Sequence, residues 1–218
     1  MTRRKIKMKT WLLLICLTAI NFLFMPVIHA EKYQPTPTID DFKEVIKDLK
    51  QRFPNAPQSP LIIISINDQR LYLLTNNEII KSYIISTATA GTGSRSGSNK
   101  TPLGVHRVSQ KFGKNAEIGT IFKARVNTHR VAQILTKAGE KSNADNVTSR
   151  ILWLSGMEQG FNKGGNVDSH SRYIYIHGTD EEGRLGQPAS HGCIRMKNQS
   201  VIDLFEQVPL GTIVDIIE

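Results

Sequence analysis

The stretch YIYIHGTDEEGRLGQPASHGCIRM, residues 173–196, decides how the rest of the chain is read. Tyr173-Ile174-Tyr175-Ile176 is a β-prone run that ends on His177. A polar loop from Gly178 to Ala189 follows, carrying Gly and Pro, and the chain returns through Ser190-His191-Gly192-Cys193. An imidazole and a thiol therefore stand at the two ends of one loop. A free thiol is mostly protonated at neutral pH, but an adjacent imidazole can take its proton and leave the thiolate, the actual nucleophile. Gly192 permits a tight turn without a Cβ, so the amides of His191, Gly192 and Cys193 can converge on a developing oxyanion. Such a site suits acyl transfer.

These residues resemble the signature of the L,D-transpeptidases of bacterial cell walls, the YkuD-type catalytic domain. That signature is a His, a loop, then Ser or Thr followed by His-Gly-Cys, a hydrophobic residue and usually Asn. The chain supplies His177, Ser190, His191, Gly192, Cys193 and Ile194; its loop is shorter than the usual pattern, and Arg195 stands where Asn is often found. The resemblance covers roughly Leu61 to Ile217. It implies a mainly β fold, an L,D-transpeptidase-like β-sandwich or barrel with a few short helices.

It also implies a reaction. Cys193 would attack the amide before the terminal D-alanine of a tetrapeptide stem of peptidoglycan, and His177 would move the proton. The carbonyl of Gly178 would orient the His177 ring, His191 and Gly192 would shape the oxyanion site, and Ser190 and Arg195 would contact substrate, Arg195 at a stem carboxylate. The acceptor distinguishes three outcomes: an amine of a second stem, an amine of an envelope protein, or water. Transpeptidation is the first reading and a carboxypeptidase is the alternative; no cofactor is expected.

Two other classes are set against this. A metal site would use His177, His191 and Cys193, but the His191-Gly192-Cys193 spacing is short and no carboxylate partner is evident, so no metal is expected. A non-catalytic wall-binding module would hold stems without forming a thioester.

The chain opens with Arg3, Arg4, Lys5, Lys7 and Lys9, then the apolar run from Trp11 to Met25, Pro26, and the small residue Ala30 after Ile28-His29. This reads as a secretory signal over residues 1–30, or as a membrane anchor if it is not cleaved. Export to the periplasm or cell envelope follows. Of the two cysteines, Cys16 lies in the apolar run, so cleavage would leave Cys193 without a disulfide partner in an oxidising compartment. Removing the five leader cations from 28 leaves 23 basic residues against 19 acidic ones, a mild surplus. With no concentrated basic and aromatic stripe, nucleic acid is not an expected partner.

Residues 31–60 read as a proline-flanked helix, capped by Thr38 and carrying Phe42, Val45, Ile46, Leu49 and Phe53, either packed on the catalytic domain or acting as a stalk. From Leu61 the pattern turns to strands: Leu61–Ile66, Leu71–Leu74, Ile79–Thr87, with tight turns that argue for an antiparallel sandwich or barrel. The loop from Ala90 to Lys100 has several glycines but neither phosphate-binding fingerprint, which excludes nucleotide binding there. Thr101-Pro102-Leu103-Gly104 reads as a structural turn. Asn127 to Gly139 reads as a helix with Val131, Ile134, Leu135 and Ala138 on one side and a Thr128 cap. His106, His129 and His170 read as ordinary surface or loop histidines. Ser200 is expected to cap a helix over Val201–Val208 with Asp203 in the capping box, before a closing strand at Ile213–Ile217 within the domain 61–218.

Overall fold

The computed structural model describes residues 37–218, of which Pro37–Glu218 is one unit. The signal or anchor segment, Cys16 and the cleavage position after Ala30 lie outside the described residues.

Leu61-Ile62-Ile63-Ile64 shows how the sheet is laid. A strand apolar at every position needs cover on both faces. Strand β1 (Leu61–Ser65) has it: Ile62 and Ile64 enter one core cluster, while Leu61 and Ile63 enter another with Phe42, Ile46 and Leu49. The last three lie on a 3₁₀ turn (Ile39–Phe42) that runs into helix α1 (Lys43–Arg52), so this helix is packed on the sheet. Burial of each large side chain there contributes on the order of 2 kcal/mol. Thr38 opens the turn, its N–H donating to Asp41 Oδ2 at 2.7 Å.

The remaining strands are β2 (Arg70–Thr75), β3 (Glu78–Ser86), β4 (Gly104–Phe112), β5 (Thr120–Lys123), β6 (Val126–Val131), β7 (Val147–Gly156), β8 (Tyr175–Thr179), β9 (Ile194–Met196) and β10 (Ile213–Ile217). Their order is β4-β10-β1-β2-β3-β9-β8-β7-β5-β6, and β4 also pairs β7. The sheet thus closes on itself, with the β5–β6 hairpin appended to β7. Helix α2 (Asn198–Gln207) sends Val201, Leu204 and Phe205 into the core shared by Ile62, Leu73, Leu152 and Ile176. The fold is mainly β, as the resemblance implies.

Four expectations are corrected. The ladder is not wholly antiparallel: β1–β10 and β8–β9 are parallel pairs. Parallel neighbours need a crossover of about a dozen residues or more, and residues 180–193, the loop between His177 and Cys193, are that crossover. The helix expected over Asn127–Gly139 does not form. Its first half is β6, turned back on β5 with Thr128 Oγ1 donating to Ile121 O at 2.8 Å. Farther on, Leu135 N–H donates to Asp180 O, and Gly139 N–H to Gly183 O. Tertiary hydrogen bonds to the crossover have overridden a helical apolar spacing.

Helix α2 begins at Asn198, before Ser200, because Asn198 N–H and its side-chain amide both reach Glu182 Oε1 at 2.8 Å. Asp203 is no capping group there; it pairs with Lys81 Nζ at 2.7 Å and accepts from Tyr83 Oη at 2.7 Å. His106 is neither on the surface nor in a loop. It is buried on β4, with Nδ1 2.8 Å from Gly104 O and Nε2 2.9 Å from Ser169 Oγ.

Candidate active site

Strand β8 carries His177 and β9 begins directly after Cys193. Their parallel register sets Ile176 opposite Ile194 and His177 opposite Arg195. On the other side of β8, Ile151 stands opposite His177 and Trp153 opposite Tyr175. Cys193 packs into the cluster formed by Ile151, Trp153, Tyr175 and Phe122. Since residues i and i+2 of a strand share a face, thiol and imidazole lie over the same face of β8.

The His177 ring is buried, with Nδ1 2.7 Å from Gly178 O. A carbonyl only accepts, so Nδ1 carries the proton of the neutral ring and Nε2 keeps its lone pair. Burial brings the His177 pKa down to about 4, against the pull of the Gly178 carbonyl. Burial likewise pushes the Cys193 thiol up to about 11, although the Tyr175 amide and Arg195 act the other way. The Tyr175 N–H donates to Sγ at 3.4 Å, and Sγ is 3.3 Å from Tyr173 O. At neutral pH both groups are uncharged, a thiol and an imidazole over one face of β8.

The turn that presents Cys193 is braced internally. Ser190 Oγ donates to Cys193 O at 2.6 Å and accepts the Gly192 N–H at 3.1 Å. Thr101 Oγ1 donates to Gly192 O at 3.1 Å, tying the Thr101–Gly104 turn to the site. Gly192 has φ +127, and a Cβ there would stand 3.3 Å from both Ile174 Cδ1 and Lys100 O. With the Gly192 amide engaged by Ser190, the N–H groups of His191 and Cys193 are the ones left without an acceptor among the described residues. Two amide donors beside a nucleophile can hold a developing oxyanion.

Arg195 is buried and engaged at both ends: Nη1 lies 2.8 Å from Glu181 Oε2 and Nη2 lies 2.5 Å from Asp145 Oδ2. Asp145 Oδ2 also stands 3.0 Å from His191 Nδ1, whose side chain is largely exposed. Glu181 binds Arg184 as well, at 2.5 Å. Arg195 thus knits the crossover, the loop before β7 and the motif together, with no donor pair turned toward a ligand.

Residues that sequence reasoning missed complete the frame. Asn198 is buried, accepts from Thr148 Oγ1 and Ser149 Oγ at 2.6 Å each, and donates to Thr179 O at 2.8 Å. It lies against Gly178, where a Cβ would stand 2.7 Å from Asn198 Oδ1 and from Thr148 O. Arg172 Nη2 donates to Lys100 O at 2.6 Å and Nη1 to Gly93 O at 3.2 Å, closing the glycine-rich loop over the motif. Arg125 lies over the rings of Trp153 and Tyr173 in one wall, and Cys193 packs into the cluster that holds Trp153. These contacts join segments far apart in the chain, and only a register for β7, β8 and β9 would have pointed to them. Among the described residues, no three His, Cys, Asp or Glu side chains are grouped to hold a metal ion.

A closed mainly β sheet presenting a Ser-His-Gly-Cys turn beside a buried histidine defines a class of protein. Residues 59–216 match the family model of the L,D-transpeptidase (YkuD) catalytic domain, and the chain belongs to that family, which acts on peptidoglycan peptides. It is similar to the putative L,D-transpeptidase YqjB of Bacillus subtilis, 27% identical over 156 residues that span 72% of this chain and 70% of that one. The probable L,D-transpeptidase YbiS of Escherichia coli is 45% identical over 47 residues, 22% of this chain and 15% of the relative. Among solved structures, L,D-transpeptidase 3 from Mycobacterium tuberculosis aligns over 73% of this chain and 60% of its own, at 14% identity and a TM-score of 0.45.

Proposed function

We propose that this protein is a peptidoglycan L,D-transpeptidase in which Cys193 is the acylated nucleophile and His177 the general base and acid. The observation that carries the reading is the His177 tautomer: Nδ1 is held by Gly178 O, which leaves Nε2 as a base over the face where Cys193 sits. The acyl donor is a tetrapeptide stem ending in D-alanine.

As Sγ attacks the carbonyl carbon, His177 Nε2 takes the thiol proton, and the oxyanion is met by the His191 and Cys193 amides. When the C–N bond breaks, the imidazolium returns that proton to the leaving amine and D-alanine departs. An acceptor amine then attacks the thioester, giving its proton to Nε2, and the S–C bond breaks to restore the thiol. A neutral resting pair fits this sequence, because the proton moves only as substrate arrives. Ser190 and Arg195 act as positioning residues that hold the turn. The acceptor is an amine of a second stem or of an envelope protein, and the leader-like segment over residues 1–30 supports a place in the periplasm or cell envelope.

The test is intact-mass analysis of the protein and its Cys193→Ala variant with a tetrapeptide donor, with and without an amine acceptor. A Cys193-dependent adduct, D-alanine release and a joined product are expected. Tripeptide as the sole product, with acceptor in excess, would make it a hydrolase; folded protein that forms no adduct would overturn the reading.

A further inference from the structure

Arg195 and Arg172 bear on the Cys193 thiol, and Arg125 lies on Trp153 and Tyr175, residues Cys193 packs against; the three differ in what their guanidinium groups already hold. Arg195 is engaged by two carboxylates and Arg172 by two backbone carbonyls. Arg125 has a single hydrogen bond, Nη1 to Tyr175 Oη at 2.9 Å, and among the described residues it has no carboxylate partner. Its guanidinium lies over the Trp153 ring, 4.5 Å from the centroid, and 5.2 Å from that of Tyr173. The other face of Trp153 is covered by His170, stacked at 3.9 Å and 4°. Trp153 is therefore closed to a stacking ligand such as a sugar ring, and the group this wall offers outward is the cation.

Its place relative to the chemistry follows from the backbone. Cys193 Sγ is bonded to Tyr173 O and Tyr175 N–H, and the rings of these same two residues hold Arg125. Arg125 sits with Ala124 in the turn between β5 and β6, both with left-handed φ, +70 and +47. Neither is a glycine, and that conformation is disfavoured for both. The half-buried guanidinium over the indole keeps most of its N–H groups in a planar fork, the geometry that grips a carboxylate bidentately.

We propose that Arg125 is the specificity residue that receives the free α-carboxylate of the leaving residue of the acyl donor. The proposal rests on the reading of Cys193 as nucleophile toward a peptide donor, in which that carboxylate is borne by the residue on the amine side of the scissile amide. A donor with a blocked C-terminus, or an internal peptide bond, would lack the group and be refused.

The test compares a donor tetrapeptide with its C-terminal carboxamide on the full-length chain, as wild type, Arg125→Gln and Arg125→Lys, reading the rate of Cys193 acylation. Amidation is expected to slow the wild type about 10- to 100-fold, the worth of a charge-assisted hydrogen bond. Arg125→Gln should show that loss with the free acid and respond to amidation by less than about threefold. Arg125→Lys, which keeps the charge without the fork, should fall between. The same penalty for amidation in wild type and Arg125→Gln would overturn the assignment, as would a wild type indifferent to amidation.

Calorimetric titration of both peptides into Cys193→Ala, with and without Arg125→Gln, separates this inference from the reading beneath it. An Arg125-dependent preference for the acid, with no acylation of the wild type, would sink the acyltransferase and leave the subsite standing. Binding of neither peptide would overturn both.

Discussion

Glu181 Oε2 lies 2.8 Å from Arg195 Nη1, with both side chains 3% exposed. This pair ties the crossover to the strand behind Cys193. Breaking a buried pair leaves an uncompensated charge, so Glu181→Gln is expected to lower stability by about 3 kcal/mol. Urea denaturation at pH 7 measures it; a loss below about 1 kcal/mol, the surface-pair range, would mean the bridge is solvated.

With the Cys193 thiol at about 11, the resting enzyme holds roughly one thiolate in 10⁴ at pH 7. Iodoacetamide alkylation should accelerate about tenfold per pH unit between pH 7 and pH 10. A rate already level at pH 6–7 would instead reveal a preformed thiolate–imidazolium pair.

His177 with a pKa of about 4 is a neutral imidazole across the physiological range. His177→Gln is expected to lower kcat/KM by about 10²- to 10⁴-fold. The wild-type profile should be level from about pH 5 to pH 9 and fall on an acid limb near pH 4. An acid limb near pH 6.5 would contradict a buried, neutral imidazole.

Gly178→Ala would drive a Cβ to 2.7 Å from Thr148 O, which is backbone and cannot swing aside. The expected cost is about 1–3 kcal/mol, from a shift of β8 against β7. Because Gly178 O holds His177, kcat should fall with it. A variant of wild-type stability and activity would show that β8 has room to move.

Stability and pH are linked by groups of opposite sign. His106 and His177 are both depressed to about 4 by burial; their contribution is present above pH 6.5 and lost as pH falls through 4, roughly 3 kcal/mol each. Burial, with Glu158 nearby, raises the Asp215 carboxyl to about 6. Its contribution is present below pH 3.8 and lost as pH rises through 6. Urea unfolding should therefore show a net loss of roughly 3 kcal/mol between pH 7 and pH 4. Asp215→Asn should stabilise the protein at pH 7 and change little at pH 4; the reverse pattern would disprove the assignment.

What the sequence by itself determined is local. Leu61–Ile64 announces a strand covered on both faces, Thr38 and the prolines bound a helix, and His177 with Ser190-His191-Gly192-Cys193 carries the histidine, the cysteine and the turn that match the family pattern. Each of these is carried by one short segment, or by two joined through a single loop, so the pattern is present before the chain folds. The tertiary structure alone decided the rest. Val131, Ile134, Leu135 and Ala138 have helical spacing, yet the chain there serves β5 and the crossover, whose backbone groups need those partners. Arg195 looked like a cation for substrate, and the register of β9 on β8 carries it inward to Glu181 and Asp145 instead. Arg125 drew no notice in the sequence, because its place over Trp153 and against Tyr175 depends on β5, β7 and β8 meeting along one sheet. Charge pairing between distant segments is set by register, and register is settled only when the whole sheet closes.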